Sequence, residues 1–318
     1  MLRRFAAVML ALVAVVRTAD GQSPRRWALI YPAGQGHPRY ASDLLQSVLY
    51  ADSEGRPIQL FDGVVCLEVT SPLGHSFQNW KKGAPPQADY AGYLDTLLAP
   101  NGPLARADSI VGSHGDSLAV TIMVPYPLGK ATPQSDERTA FLEWYLGRAD
   151  SLFKARSFGH LHLWGFYWLG EGISRNDTLV VQHMSQIAHT RGFKTMWIPF
   201  YTSELASKWR DLGFDVAFLQ PNYFFTPSLD ASRMDSAVAR AKQWGMNLEV
   251  EFDHRLIDDT LFSGRLDPYL EAISRMGEKT FPDIAVYDGA GALYKVQRSK
   301  SPQGKGAYRR LVVLLRRY

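Results

Sequence analysis

Short apolar runs alternate with longer amphipathic stretches along most of the chain. Runs of four to eight residues rich in β-branched and aromatic side chains predict strands, and apolar residues at helical spacing predict helices. The predicted strands are Trp27–Tyr31, Gly63–Val69, Leu118–Val124, Leu161–Trp168, Lys194–Pro199, Val216–Gln220, Asn247–Phe252 and Ile284–Tyr287. The predicted helices are Tyr40–Ala51, Tyr90–Leu98, Asp136–Ala155, Thr178–Thr190, Glu204–Leu212, Ala231–Trp244, Pro268–Met276 and Tyr308–Arg317.

The alternation of strand and helix predicts the fold class. Strands joined by helices are typical of parallel sheets in α/β proteins. Eight such pairs, with no linker or break in composition, predict one (β/α)8 TIM-type barrel in a single domain. A doubly wound sheet built from the same elements is the alternative. Asp177 and Ser203 are predicted to cap the helices that follow them.

The first 21 residues predict a secretory signal peptide. Arg3 and Arg4 precede twelve apolar residues, Phe5 to Val16, and the small residues Ala19 and Gly21 suit a cleavage site. Twelve apolar residues are too few to span a bilayer comfortably. We therefore expect residues 22–318 to form the mature barrel domain, exported to the periplasm or the extracellular space, with no stable membrane insertion after cleavage.

Charge and motif content exclude several functions. A formal net charge of +4 over 318 residues, which falls when the leader is removed, is too small to indicate nucleic-acid binding. The single cysteine, Cys66, rules out internal disulfides and is predicted to be a small buried residue. The eight His do not form a zinc motif, and no nucleotide-binding loop or nucleophile elbow occurs. We expect no cofactor and no catalytic metal, although calcium on loop oxygens stays open.

The loop lengths predict where a site would lie. The turns from helix to strand are short, whereas several segments from strand to helix are long, notably 70–89, 125–135, 253–267 and 288–307. In a barrel the loops after the strands gather at one face, which carries the active site. Residues at the carboxyl ends of the strands are therefore the candidates for chemistry.

An acidic residue follows the fourth predicted strand. The strand ends in Tyr167 and Trp168, and Glu171 lies three residues further on. A carboxyl group beside aromatic walls is partly desolvated, which raises its pKa and suits it to act as a general acid. The alternative is that Glu171 caps the loop or the next helix.

The seventh strand carries three acids in alternate positions. Side chains alternate along a strand, so Glu249, Glu251 and Asp253 share one face. Acids on the inward face are costly without partners or a task. Glu251, near the strand end, is the predicted nucleophile or base, and an ion pair is the alternative for Glu249.

Acids at the ends of strands four and seven are typical of barrel glycosidases. These enzymes use two carboxyl groups, one as acid/base and one as nucleophile or base. The sequence therefore predicts a glycoside hydrolase with Glu171 as acid/base and Glu251 as nucleophile or base. It departs from the pattern of the large clan of such enzymes in one respect, because that clan has Asn before the strand-four Glu and this chain has Gly170.

Other side chains near the strand ends are predicted to bind the carbohydrate. Polar groups read sugar hydroxyls and aromatic rings stack on sugar faces, and Tyr223 is placed to hydrogen-bond the strand-seven carboxylate. The predicted substrate-binding residues are Glu249, Asp253, Gln220, Asn222, Tyr223, Trp168, Tyr167, Trp197, Tyr201, Tyr31 and Asp288.

Four phrases carry a resemblance to a known family. They are Gly-Phe-Tyr-Trp-Leu-Gly-Glu (165–171), Trp-Ile-Pro-Phe-Tyr (197–201), Gly-Phe-Asp-Val-Ala-Phe-Leu-Gln-Pro-Asn-Tyr-Phe-Phe (213–225) and Met-Asn-Leu-Glu-Val-Glu-Phe-Asp (246–253). The chain resembles the bacterial family catalogued as domain of unknown function 4855. The resemblance implies an exported barrel with glycosidase-like relatives. The alternative functions are a non-catalytic carbohydrate-binding protein and a structural envelope protein on the same scaffold.

Overall fold

Eight parallel strands close into a barrel in the computed structural model, which describes residues 23–33, 42–53, 56–77, 85–127, 136–289 and 291–318. The barrel strands are β1 (Arg26–Ile30), β4 (Gly63–Cys66), β5 (Leu118–Val124), β6 (Leu161–Trp168), β7 (Lys194–Trp197), β8 (Val216–Leu219), β9 (Asn247–Phe252) and β10 (Ile284–Asp288). β2 (Tyr50–Ser53) and β3 (Arg56–Gln59) form a separate antiparallel hairpin. The predicted leader, residues 1–21, lies outside the described residues.

Closure occurs between the first and last barrel strands. β1 pairs with β4 on one side and with β10 on the other, so that Trp27 lies opposite both Gly63 and Ala285. An open doubly wound sheet would leave edge strands, so the single-domain (β/α)8 barrel prediction is confirmed.

Nine helices are described, and most surround the barrel. They are α1 (Ser42–Leu49), α2 (Gln87–Leu97), α3 (Pro103–His114), α4 (Asp136–Arg156), α5 (Thr178–Thr190), α6 (Ser232–Trp244), α7 (Asp267–Met276), α8 (Ala292–Gln297) and α9 (Pro302–Leu315). Because helices cover the sheet from outside and side chains fill it from inside, β5 is buried along its whole length.

The floor of the barrel is filled by aromatic rings. Trp27 packs against Trp164 with their ring centroids 4.9 Å apart. A Cβ at Gly63 would lie 2.4 Å from the Trp27 ring, so this strand position needs glycine. Cys66 is fully buried, as predicted, and its burial raises the pKa of its thiol.

Three predicted local features differ from the structure. The predicted helix Glu204–Leu212 is reduced to a short 3-10 turn at Ala206–Lys208. Here Trp209 donates its indole N–H to the carbonyl of Trp244 at 2.9 Å, so contact with α6 determines the backbone path. Asp177 makes no cap hydrogen bond to α5, because its oxygens bond to other side chains, and Ser203 caps no helix.

Candidate functional site

Strand alternation places two acids inside the barrel. Glu249 and Glu251 lie opposite Ala285 and Tyr287 of β10 and are 1% and 3% exposed. They are two residues apart on one strand and therefore share the inner face. Glu251 is the nearer of the two to the carboxyl end of β9, where the barrel opens.

Glu251 is held by two hydrogen bonds to the same oxygen. Its Oε2 accepts from the backbone N–H of Asn222 at 2.7 Å and from the Tyr269 hydroxyl at 2.8 Å. Asn222 has a φ of 53°, a left-handed conformation that asparagine tolerates better than most residues. The Tyr269 hydroxyl also accepts from the N–H groups of Tyr223 and Phe224, at 3.2 and 2.9 Å. The β8–α6 loop and α7 together therefore fix the position of this carboxyl group.

These surroundings set the charge of Glu251. Burial raises its pKa to about 7, although the hydrogen bonds from Tyr269 and Asn222 favour the anion and lower the pKa. The negative charge of Glu171 also raises the pKa of Glu251. The Glu251 carboxyl group therefore ionises near neutral pH.

Glu249 lies deeper and keeps its proton more firmly. Its Oε1 is buried and has no hydrogen-bond partner among the described residues. Burial raises the pKa of Glu249 well above its ordinary value, and the charges of Glu251 and Glu171 raise it further. Among the described residues no Lys, Arg or His forms an ion pair with Glu249, which was the alternative predicted for this residue.

Glu171 reaches the same opening from the opposite side. Glu171 follows β6, and its side chain is exposed. Desolvation by the surrounding residues nevertheless raises the pKa of Glu171, and a hydrogen bond from Gln220 opposes this rise. Its charge acts on Glu249 and Glu251, and on the hydroxyls of Tyr31 and Tyr167. A chain of contacts connects Glu171 with Glu251, because Gln220 bonds to Glu171, the Asn222 side chain donates to Gln220 at 3.1 Å, and the Asn222 N–H donates to Glu251 at 2.7 Å.

Gly170 lies tightly over the indole of Trp168. A Cβ at this position would be 2.9 Å from the Trp168 Nε1 atom. The asparagine that the large glycosidase clan has here would therefore require the Trp168 ring to move. The carbonyl of Gly170 accepts a hydrogen bond from the Trp197 indole at 2.8 Å, which ties the Glu171 loop to β7.

Several predicted binding residues meet at the opening. The Tyr31 hydroxyl donates to the Tyr287 hydroxyl at 3.1 Å, and burial raises the pKa of both groups. The buried Tyr167 interacts with Glu171 and Glu249, and Gln220 donates its side-chain amide to the carbonyl of Ile198 at 3.3 Å. The Asn222 amide group donates to Gln220 Oε1 at 3.1 Å.

Trp168 and Trp197 are fully buried in the wall. Because Tyr167 points into the barrel, alternation directs Trp168 outward, where its ring meets Tyr126 with centroids 6.0 Å apart. The Trp197 ring stacks on Phe214 with centroids 5.4 Å apart. The structure does not bring these two tryptophans to the surface of the cleft.

The remaining predicted residues stabilise the loops around the opening. The rings of Tyr223 and Tyr201 lie under arginines, with distances of 3.8 Å from Arg265 and 3.9 Å from Arg233. The hydroxyl on Glu251 therefore belongs to Tyr269, whereas Tyr223 contributes its backbone. The last two acids have local roles, since Asp253 pairs with Arg255 at 2.8 Å and Asp288 accepts from the Leu293 N–H at 2.7 Å.

Two tyrosines of the site were not among the predicted residues. Tyr287 was in the eighth predicted strand, opposite Glu251, and its inward direction follows from the register. Tyr269 lies on α7, and nothing in the helical pattern distinguishes it from a core aromatic. Only the packing of α7 against β9 reveals its contact with Glu251.

A cavity of about 580 Å³ adjoins Glu171. One wall is held by Asp177, which pairs with the buried Arg138 at 2.8 Å and accepts from Tyr126 and Ser174 at 2.6 and 2.7 Å. The cavity is lined by Phe77, Tyr126, Leu169, Gly170, Glu171, Gly172, Ile173, Ser174, Asp177, Phe200, Thr202, Ser203 and Glu204.

Within the described residues, no group of three or more His, Cys, Asp and Glu side chains is arranged to hold a metal ion. No helix in the described part of the chain has both the length and the apolar character needed to cross a bilayer.

Comparisons with known proteins identify the family and the fold. The model of the family described as Domain of unknown function (DUF4855) matches residues 27–313. No protein with a curated description matches. A family 18 chitinase from Crocus vernus is similar at 14% identity and a TM-score of 0.50, over 90% of this chain and 99% of that chain.

Two further solved structures are similar with lower TM-scores. A family GH18 chitinase catalytic domain from the fern Peteris ryukyuensis has 11% identity and a TM-score of 0.49, over 91% of this chain and 99% of that chain. An Anoxybacillus α-amylase has 8% identity and a TM-score of 0.46, over 92% and 78%. At these identities the likeness concerns the fold alone.

Proposed function

Because the chain belongs to the family described as Domain of unknown function (DUF4855), whose name specifies no reaction, we propose its function from the site. The proposal is an exported glycoside hydrolase that acts on a poly- or oligosaccharide. Glu171 is the acid/base, and Glu251 is the nucleophile or the base. The observation that supports the proposal is that Glu171, after β6, and Glu251, on β9, are linked through Gln220 and Asn222. The side chains of Gln220 and Asn222 bond at 3.1 Å, and the Asn222 N–H donates to Glu251 at 2.7 Å.

The surroundings of the two acids suit different roles. Glu251 is fixed by Asn222 and Tyr269, which stabilise its anion, as a nucleophile or base needs. Glu171 is accessible from the cleft and its raised pKa helps it hold a proton to donate. Burial raises the pKa of Glu249 beneath them well above its ordinary value, which favours its uncharged form and limits the negative charge beside Glu251.

The reaction follows from these roles. Glu171 donates its proton to the glycosidic oxygen as the bond from that oxygen to the anomeric carbon breaks. The Glu251 carboxylate either bonds to the anomeric carbon or removes a proton from the water that attacks it. In the first case water then cleaves the ester and gives its proton to Glu171, which restores both residues.

Export is the second part of the proposal. A basic n-region, twelve apolar residues and small residues near position 21 support a cleaved leader. The mature protein would then meet carbohydrate in the periplasm or outside the cell. Amino-terminal sequencing of the exported protein tests this point, and an uncleaved start at Met1 would contradict it.

A carbohydrate-binding protein without catalysis is the second candidate. Gly170 favours it, because the glycine removes the side chain that the large glycosidase clan uses beside its acid. Measurable glycan affinity in the absence of any hydrolysis would support this candidate over the hydrolase.

The decisive experiment separates the two acids by their need for a proton donor. The mature protein is screened on 4-nitrophenyl and 2,4-dinitrophenyl glycosides and on bacterial and plant polysaccharides. Glu171→Ala should lose about 10²- to 10⁴-fold in kcat/KM on a poor leaving group. The dinitrophenyl group needs no proton to leave, so kcat/KM of Glu171→Ala should fall far less on that glycoside, whereas Glu251→Ala should lose activity on both substrates.

The control is Glu271→Ala, which removes an exposed carboxyl group from α7. It should retain the activity of the unaltered protein on both substrates. Full activity of Glu171→Ala or Glu251→Ala on the poor leaving group would contradict the assigned role.

A further inference from the structure

The cavity beside Glu171 lies on one side of the barrel opening. Its lining comes from the segments after β4, β5, β6 and β7, represented by Phe77, Tyr126, Ser174 and Phe200. No described residue that follows β8, β9, β10 or β1 lines it. Glu251, on β9, is therefore across the opening from this cavity.

Of the three acids Glu171, Glu249 and Glu251, only Glu171 lines this cavity. It lines the cavity, and its charge acts on Glu249 and Glu251 in the barrel. A general acid must touch the oxygen between the anomeric carbon and the leaving group. With the anomeric carbon over Glu251, the leaving group extends past Glu171 to the side opposite Glu251.

We propose that this cavity is the subsite for the leaving group, and that it takes an uncharged sugar. The assignment rests on the proposed function, since it uses Glu171 as the acid. The volume of about 580 Å³ lies within the roughly 300–1,000 Å³ typical of small-molecule sites.

The preference for an uncharged sugar follows from the charges on the wall. No Lys, Arg or His is among the described lining residues. Asp177 is neutralised by Arg138, and the exposed Glu204 is paired with Arg175 at 2.7 Å. An anionic sugar would find no cation among the described lining residues to compensate the charge of its carboxylate.

The uncharged groups on the wall suit a sugar ring. The half-buried Phe200 and Tyr126 offer aromatic surface for the C–H face of a ring. Ser174 and Thr202 bring hydroxyl groups, and both residues are exposed. This combination of aromatic faces and uncharged hydroxyls matches a pyranose that has no ionised substituent.

The test compares substrates that fill the subsite with substrates that leave it empty. For the glycone hydrolysed in the screen, kcat/KM is measured on a disaccharide and on the glycosyl fluoride, whose leaving group is too small to occupy a subsite. Thr202→Trp puts a bulky ring into the cavity from an exposed position. The ratio of kcat/KM for the disaccharide to that for the fluoride should fall by about tenfold or more.

Thr190→Trp is the matched control. Thr190 is an exposed threonine at the end of α5, before β7 begins, and so lies at the opposite end of the barrel. This variant should keep the ratio of the unaltered protein. An unchanged ratio in Thr202→Trp, whether from equal losses on both substrates or from no loss, would overturn the subsite assignment.

The charge preference is tested on the unaltered protein with two disaccharides. They share the glycone and carry glucose or glucuronic acid as the leaving sugar. The glucose compound should be cleaved with a kcat/KM about tenfold higher or more. Equal or faster cleavage of the glucuronic acid compound would overturn the charge preference. Absence of hydrolysis on every probe would instead refute the proposed function, and this assignment with it.

Discussion

The hydroxyl of Tyr269 is the most informative single group to remove. In Tyr269→Phe the ring stays in its fully buried position, and only the oxygen that donates to Glu251 Oε2 at 2.8 Å is lost. The same oxygen accepts from the N–H groups of Tyr223 and Phe224. The variant therefore weakens the support of the Glu251 anion and leaves two backbone donors without their partner.

The magnitude follows from the value of a hydrogen bond to a charged group, which is about 1.5–3 kcal/mol. A change of one in pKa corresponds to about 1.36 kcal/mol. The pKa of Glu251 is about 7 in the unaltered chain, and losing the bond should raise it by about 1 to 2. If Glu251 must be ionised for activity, the acidic limb of the plot of kcat/KM against pH shifts to higher pH by the same amount. Below that limb, kcat/KM should fall by about 10- to 100-fold.

The assay is the pH dependence of kcat/KM on an activated glycoside, together with urea unfolding. Each of the two unsatisfied N–H groups should lower the free energy of unfolding by about 1–3 kcal/mol. Tyr93→Phe is the matched control, because its fully buried hydroxyl donates to the Cys66 carbonyl at 2.8 Å and does not contact Glu251. Tyr93→Phe should lose stability without moving the limb. An unmoved limb in Tyr269→Phe would refute the claim that this hydroxyl stabilises the Glu251 anion.

Two stability predictions follow from other buried positions. The raised pKa of Glu251, about 7, means that the folded chain holds this proton more tightly than the unfolded chain does, so stability falls as pH rises from about 4 to about 7. In urea unfolding, Glu251→Gln should make this loss of stability between about pH 4 and about pH 7 smaller by about 3 kcal/mol, whereas Glu271→Gln should leave it unchanged. The same dependence of stability on pH in Glu251→Gln as in the unaltered chain would contradict the raised pKa. In Gly165→Ala the new Cβ would lie 2.0 Å from the Lys194 carbonyl oxygen, so we expect a loss of about 3 kcal/mol or more in thermal unfolding. Gly159→Ala, whose Cβ meets nothing within 4 Å, should stay within about 0.5 kcal/mol of the unaltered chain, and equal losses in the two variants would refute the steric argument.

The barrel was predictable because its strands and most of its helices have strong, regular patterns. β5, β6 and β9 have the predicted bounds, and so does α5. α3 was missed although it carries its own signals, with a proline in its first turn and apolar residues at helical spacing. The β2–β3 hairpin and α8 are short, and little in their sequence distinguishes them from loops.

The direction of individual side chains was harder to predict. Alternation requires Tyr167 and Trp168 to point to opposite faces, but it does not say which one points inward. The pairing of β5 with β6 shifts register beside Val120, so the inward face cannot be counted from the start of β6. The contact of Tyr269 with Glu251 depends on how α7 packs, which no local pattern encodes.

The pairing of β1 with β10 also determines when the site comes into existence during synthesis. β1 is synthesised first among the barrel strands, but β10, one of its two neighbours in the barrel, is complete only after Asp288 has been added. Until then β9 is an edge strand, and its two glutamates lack the strand that carries Tyr287. The proposed site therefore cannot form before the last barrel strand has been made.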